Sequence, residues 1–165
     1  MRKLLRAALV LSLFATGSVE VWAEVVRPAP DFGIEGVAKG TSLRSFRGQA
    51  VVLVIARNAR DKEFRTEVSR LRGLYGQFTN ERVIFVAAIE NGPETAPSDI
   101  PFVTAANPQQ VAADYGVRGR FAIAVIGVDG NLDLITSRLI APERLRDAVF
   151  NNYESQAEAR KPLGP

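Results

Sequence analysis

The sequence predicts an α/β fold built on a mixed sheet, and three observations carry that prediction. Three short runs, Ala50–Ala56, Val83–Ile89 and Phe121–Val128, are almost wholly apolar, without the alternation of a half-exposed strand. An amphipathic stretch, Lys62–Phe78, separates the first two runs, giving a βαβ unit and hence a parallel pair with a right-handed crossover. Asp129-Gly130, at the end of the third run, is a two-residue hairpin signal that returns Leu132–Ile140 as an antiparallel partner.

The elements follow in order. Met1–Ala23 reads as a secretory signal peptide: Arg2, Lys3 and Arg6 form a basic start, Ala7–Ala15 a short apolar core, and Val21-Trp22-Ala23 a cleavage site before Glu24. The apolar core is short for a spanning helix; an uncleaved anchor is the competing reading. With no Cys after that core, bacterial-type lipid attachment is excluded. Residues 24–49 form an entry segment, stiffened at Pro28 and Pro30, with Gly33, Gly36 and Gly40 marking a small hairpin or loop and Leu43 and Phe46 an apolar anchor.

The core is expected over residues 50–154. In the first helix Phe64, Val68, Leu71, Leu74 or Tyr75, and Phe78 share one face, while Glu63, Arg65, Glu67, Arg70 and Arg72 are assigned to the other. Gly73 and Gly76 weaken its last turns by about 1 kcal/mol each relative to Ala, and Asn80 ends it. Phe102–Ala105 is a short extended piece. Asn107-Pro108 opens a second helix, with Asn as the cap and Pro in the first turn, and Gly116 stops it. Pro142 opens a third helix on the stripe Leu145, Ala148 and Val149. Residues 155–165 read as a frayed tail.

Composition narrows the chemistry. The chain has 165 residues, 47% hydrophobic and 24% charged, as in a globular domain of ordinary size. Its net charge of +3 comes mostly from the first 23 residues; without their three bases and Glu20 it is +1. Charge therefore argues for neither nucleic acid nor stable membrane insertion after cleavage. The chain has no Cys and no His, and its one Met and one Trp are Met1 and Trp22. Disulfides, thiol redox chemistry, Cys or His metal ligation and His-dependent triads are all excluded. No cofactor is expected.

Four segments carry a family resemblance. They are Ala29-Pro30-Asp31-Phe32, Leu43-Arg44-Ser45-Phe46-Arg47-Gly48-Gln49-Ala50-Val51-Val52-Leu53, Asp99-Ile100-Pro101-Phe102 with Tyr115-Gly116-Val117-Arg118-Gly119, and Ile126-Gly127-Val128-Asp129-Gly130. In this order, over about residues 28–150, the chain resembles the redoxin branch of the thioredoxin superfamily. That branch holds the alkyl hydroperoxide reductase/thiol-specific antioxidant peroxiredoxins and the exported thiol–disulfide reductases. The chain is also similar to thiol-free thioredoxin-like proteins. The resemblance implies a thioredoxin-like three-layer α/β/α sandwich with a mixed central sheet, and a bacterial periplasmic or secreted address.

The departures bear on function. Aligned to the reductases, the two cysteine positions fall on Ala59 and Lys62; aligned to the peroxiredoxins, Glu63-Phe64-Arg65-Thr66-Glu67 puts Phe64 at the peroxidatic position. Phe121 stands where the reductases carry a cis-proline and the peroxiredoxins usually an arginine, with Arg120 one position away. A cis bond before a residue other than proline costs about 3–4 kcal/mol, so a trans bond is expected there.

The resemblance implies that the turns before the first helix and before the third long strand share a pole. Arg57, Asn58, Arg60 and Lys62 lie on the first, and Arg118 and Arg120 on the second. They are candidates for an anion- or partner-binding surface at a helix N-terminus. Asn58 or Asp61 is expected to cap the helix, and Asp61 to pair with a nearby arginine. Ordinary solvated charge is the competing reading. Glu90, Glu94 and Asp99 are a weaker acid–base candidate, and Phe121 could line an apolar pocket beside Phe64 or simply fill the core.

The sequence therefore points to an exported, non-catalytic binding or interaction module, its partner a protein or a small anionic ligand. Two alternatives stand beside it: a redoxin-type oxidoreductase or peroxidase that takes its thiol from a partner chain, and a structural subunit that dimerises.

Overall fold

The computed structural model describes residues 27–36, 38–80, 82–92 and 98–150. The expected signal segment and the 155–165 tail lie outside them. A seven-stranded sheet runs in the order β1-β7-β6-β3-β4-β5-β2. Its elements are β1 (Arg27–Pro28), β2 (Ile34–Glu35), β3 (Val51–Ala56), α1 (Lys62–Asn80), β4 (Ile84–Ile89), β5 (Val103–Ala105), α2 (Pro108–Asp114), β6 (Phe121–Ile126), β7 (Asn131–Thr136) and α3 (Pro142–Phe150). A 3-10 turn, Leu43–Phe46, precedes β3. β3, β4 and β5 are parallel, whereas β6 is antiparallel to both β3 and β7, so the sheet is mixed. All described peptide bonds are trans.

The unalternating strands are explained by two cores, one on each face. Val52, Val54 and Ala56 align with Phe85, Ala87 and Ile89 on one side and with Val125, Ile123 and Phe121 on the other. This face is covered by Phe64, Val68, Leu71, Leu74 and Phe78 of α1 and by Leu145 and Val149 of α3. The alternate residues Val51, Leu53 and Ile55 face Val111 and Ala112 of α2 and Phe32, Ile34 and Leu43 of the entry segment. All six β3 side chains are therefore buried. An aromatic cluster holds the far end of α1, where Phe85 meets Tyr75, Phe78 and Phe102 at centroid distances of 5.7, 5.8 and 6.0 Å. The second face is tied to the entry segment by Tyr115, whose hydroxyl donates to Pro30 O at 3.0 Å and whose ring meets Phe32 edge-on. Burial, with the charge of Asp31 adding to it, pushes that phenol well above its ordinary range.

The short strands β1 and β2 escape sequence reading because two residues carry no period. α2 starts where expected, but its cap differs. Asn107 sits in the left-handed region (φ 52°) with no side-chain cap bond, and its carbonyl accepts from Gln110 N and Val111 N at 2.9 and 3.1 Å.

The larger correction concerns Glu67, which is not on the polar face of α1 but fully buried. It comes three residues after Phe64 and four before Leu71, which places it inside the apolar stripe. Its Oε2 accepts from Ile140 N at 3.2 Å, while Arg70 Nη1 donates to Ile140 O at 2.8 Å. Helix α1 thus grips both sides of the segment that leads into α3. Oε1 of Glu67 is buried with no partner among the described residues. Burial raises the carboxyl pKa from the ordinary 4.5, against the opposing pull of the Ile140 amide and the Arg70 charge.

Two predictions follow from α1. The raised native pKa means that the contribution of Glu67 to stability is complete below about pH 4.5 and is lost as pH rises through the native value, because the unfolded chain releases the proton first. Glu67→Gln removes that loss. In urea unfolding from pH 4 to pH 7.5, the variant's midpoint should gain on the wild type's as pH rises; a constant difference would contradict the assignment. Gly73 is exposed inside α1, and a β-carbon there meets nothing within 4 Å. Gly73→Ala should therefore stabilise the fold by roughly 0.5–1 kcal/mol, read as a higher urea midpoint.

Candidate functional site

Three loops converge at the end of the sheet where the parallel strands finish. Arg57 N donates to Arg120 O at 2.8 Å, joining the turn after β3 to the turn before β6. On its other side, Asn91 N donates to Arg57 O at 2.8 Å and Glu90 N to Ala56 O at 2.9 Å, so the loop after β4 is drawn into the same pole. Gly92 allows this loop to turn tightly, since a β-carbon there would lie 2.7 Å from Ile89 Cγ2. All these links are between backbone atoms, so the pole is assembled without reference to the side chains it carries.

The turn into α1 is built locally. Asn58 Oδ1 accepts from Arg60 N at 2.8 Å, Asp61 N donates to Asn58 O at 3.0 Å, and Arg65 N donates to Asp61 O at 3.1 Å. Asn58 thus shapes the turn, and the carbonyl of Asp61 starts the helix. The expected Asp61–arginine pair is not formed among the described residues: the ion pairs there are Arg44–Asp31 and Arg72–Asp99. Instead Oδ2 of Asp61 is buried without a partner among those residues.

The side chains divide into two sets. Arg57, Arg60, Lys62, Arg118 and Arg120 are exposed, and none of them forms an ion pair among the described residues. Asn58 lies half-buried beneath them. Of the positions that the resemblance aligned with active-site residues, Ala59, Phe64 and Phe121 are buried in the α1–α3 core, and Lys62 is exposed. Phe121 sits opposite Ala56 in the β3–β6 register, so its ring is part of the packed layer.

Beside this pole a groove of 590 Å³ follows α1, its floor formed by Ala59, Phe64 and Val68 and its rim by Arg60, Arg65 and Arg72. The sequence reading did not single out Arg65 or Arg72 for the site. Their spacing of seven along one helix was the available signal. Arg72 Nη2 lies 3.1 Å from Asp99 Oδ2, so one carboxylate already occupies that rim. Of the other carboxylates named from the sequence, Glu94 lies outside the described residues, and the backbone carbonyl of Glu90 accepts from Gln109 Nε2 at 2.9 Å. No group of acidic side chains among the described residues is placed to hold a metal ion, and no described helix is long and apolar enough to cross a membrane.

No protein-family model matches the chain, and no curated protein matches it. Solved structures do. A protein assigned as the thiol:disulfide interchange protein DsbE of Chlorobium tepidum is 19% identical, with a TM-score of 0.58 over 74% of this chain and 93% of that one. The reduced 2-Cys peroxiredoxin of Plasmodium vivax is 15% identical, with a TM-score of 0.60 over 82% and 99%. A thiol:disulfide interchange protein from Bacteroides sp. is 16% identical, with a TM-score of 0.59 over 82% and 95%. At such identities the likeness speaks for the fold and leaves activity open. The chain has a thioredoxin-like α/β/α sandwich fold, and it has no cysteine.

Proposed function

We propose that this is an exported thioredoxin-like binding module without thiol chemistry. Its former active-site pole recognises an anionic group, carried by a small ligand or by a loop of a partner protein. The observation that carries this reading is the Arg57 N to Arg120 O bond, which brings two arginine-bearing turns together at the start of α1. The turns it joins carry five exposed cationic side chains and lead into the free N–H groups of a 19-residue helix, which supports the reading. Export rests on the basic, then apolar, then small-residue pattern of Met1–Ala23, and signal cleavage after Ala23 releases the module into the periplasm or the medium.

The test is thermal unfolding of the purified protein in phosphate, citrate and acetate, at ionic strength matched with chloride. A specific site at near-saturating anion raises Tm by a few degrees. In Arg57→Ala/Arg60→Ala that rise should largely disappear. Equal shifts in wild type and variant, or none in either, would reject the anion site.

A second reading is a redoxin-type oxidoreductase that borrows a thiol from a partner chain; the thiol–disulfide proteins among the structural neighbours favour it. The chain itself can form neither a sulfenic acid nor a disulfide. With dithiothreitol present, the purified protein should accelerate neither insulin reduction nor peroxide consumption above the rate of dithiothreitol alone. Turnover in either assay would replace the binding reading.

A further inference from the structure

A separate concavity opens at the other end of β3, about 20 Å from the arginine pole, the span of a six-residue strand. The entry segment, the 3-10 turn and the β6–β7 turn enclose it, and its volume is 420 Å³. That lies within the roughly 300–1,000 Å³ usual for small-molecule sites. Leu43, Val51 and Ile126 form its floor; all three are buried, and Val51 and Ile126 are partners across the β3–β6 ladder. Arg44, Arg47 and Gln49 form its rim.

The walls are held by backbone bonds and so exist before any ligand arrives. Gly48 N donates to Val128 O at 2.8 Å, Ala29 N to Gly130 O at 3.0 Å, and Gln49 N to Phe46 O at 2.9 Å. The two arginines differ in what they have left to offer. Arg44 is engaged by Asp31, whose Oδ2 lies 3.2 Å from its Nε and whose Oδ1 accepts from its backbone N–H at 3.2 Å. Arg47 forms no ion pair among the described residues. Its Nε would lie 3.6 Å from a β-carbon on Gly130, so its stem rests on the β6–β7 turn beside the opening.

We propose that this pocket binds a small monocarboxylate with an apolar body, of the aromatic or medium-chain aliphatic class. The body packs on Pro28, Ala29 and Phe46, the lining side chains that keep exposed apolar surface above the buried Leu43, Val51 and Ile126, and the carboxylate pairs with Arg47 beside the Gln49 amide. One uncommitted guanidinium selects one negative charge, because Asp31 already offsets Arg44. The apolar floor excludes a bare inorganic anion as the preferred ligand, and the volume excludes a folded partner. This site is independent of the arginine pole, and either can fail without the other.

The test is a titration of the ¹⁵N-labelled protein with benzoate and hexanoate, with acetate (no apolar body) and benzamide (no charge) as controls. The expected result is saturable shifts of the Gly48, Gly127 and Gly130 amides with benzoate or hexanoate, at affinities about tenfold or more above those of both controls. Arg47→Ala, at an exposed position, should keep the spectrum of a folded protein and lose about tenfold or more in affinity, the scale of one charge-assisted pair. The proposal is overturned if those amides do not move. It is equally overturned if the shifts centre on residues 57–62 and 118–120, if benzamide binds as well as benzoate, or if Arg47→Ala binds as the wild type does.

Discussion

Burial of β3 on both faces is the constraint from which the rest of this molecule follows. A strand with no solvent-facing side chain needs helices above and below it and a hydrogen-bonded neighbour on each edge. β4 and β6 supply the edges, α1 and α3 cover one face, and α2 with the entry segment covers the other. Once β3 is central, the connection leaving its end must cross the same pole as the connection entering β6. The Arg57 N to Arg120 O bond is the local expression of that topology.

The pole is tied together by backbone groups, and its inward-facing positions are filled by Ala59, Phe64 and Phe121, which contribute apolar packing. What faces water is cationic. Oδ2 of Asp61, the residue before α1, is buried with no partner among the described residues. Glu67 lies inside the same helix, fully buried, and burial raises its pKa.

Much of this was legible in the residues. The unalternating apolar runs, the 3-to-4 spacing in α1 and the Asp129-Gly130 turn are local signals, and each corresponds to the element it predicts. Glu67 was misassigned because its charge was weighed above its place in the helical period. The Asn107 cap was misassigned because a suitable side chain does not ensure capping geometry when the residue is left-handed. The short strands and the pocket at the far end of β3 had no local signal. Each is formed by segments distant in sequence, such as Pro28, Gln49 and Ile126 around one pocket.

The amino-acid sequence settles the reaction class this chain cannot perform, because the absence of Cys and His is a matter of composition and no folding can supply the missing atoms. It also settles the order of the long strands and the helices, because hydrophobic period is a property of neighbours along the chain. The tertiary structure decides which charges meet. Arg57 and Arg120 share a pole, Asp31 engages Arg44 and leaves Arg47 uncommitted, and Glu67 turns inward to hold Ile140. Those outcomes depend on strand register and loop closure across more than ten residues, which no local pattern encodes.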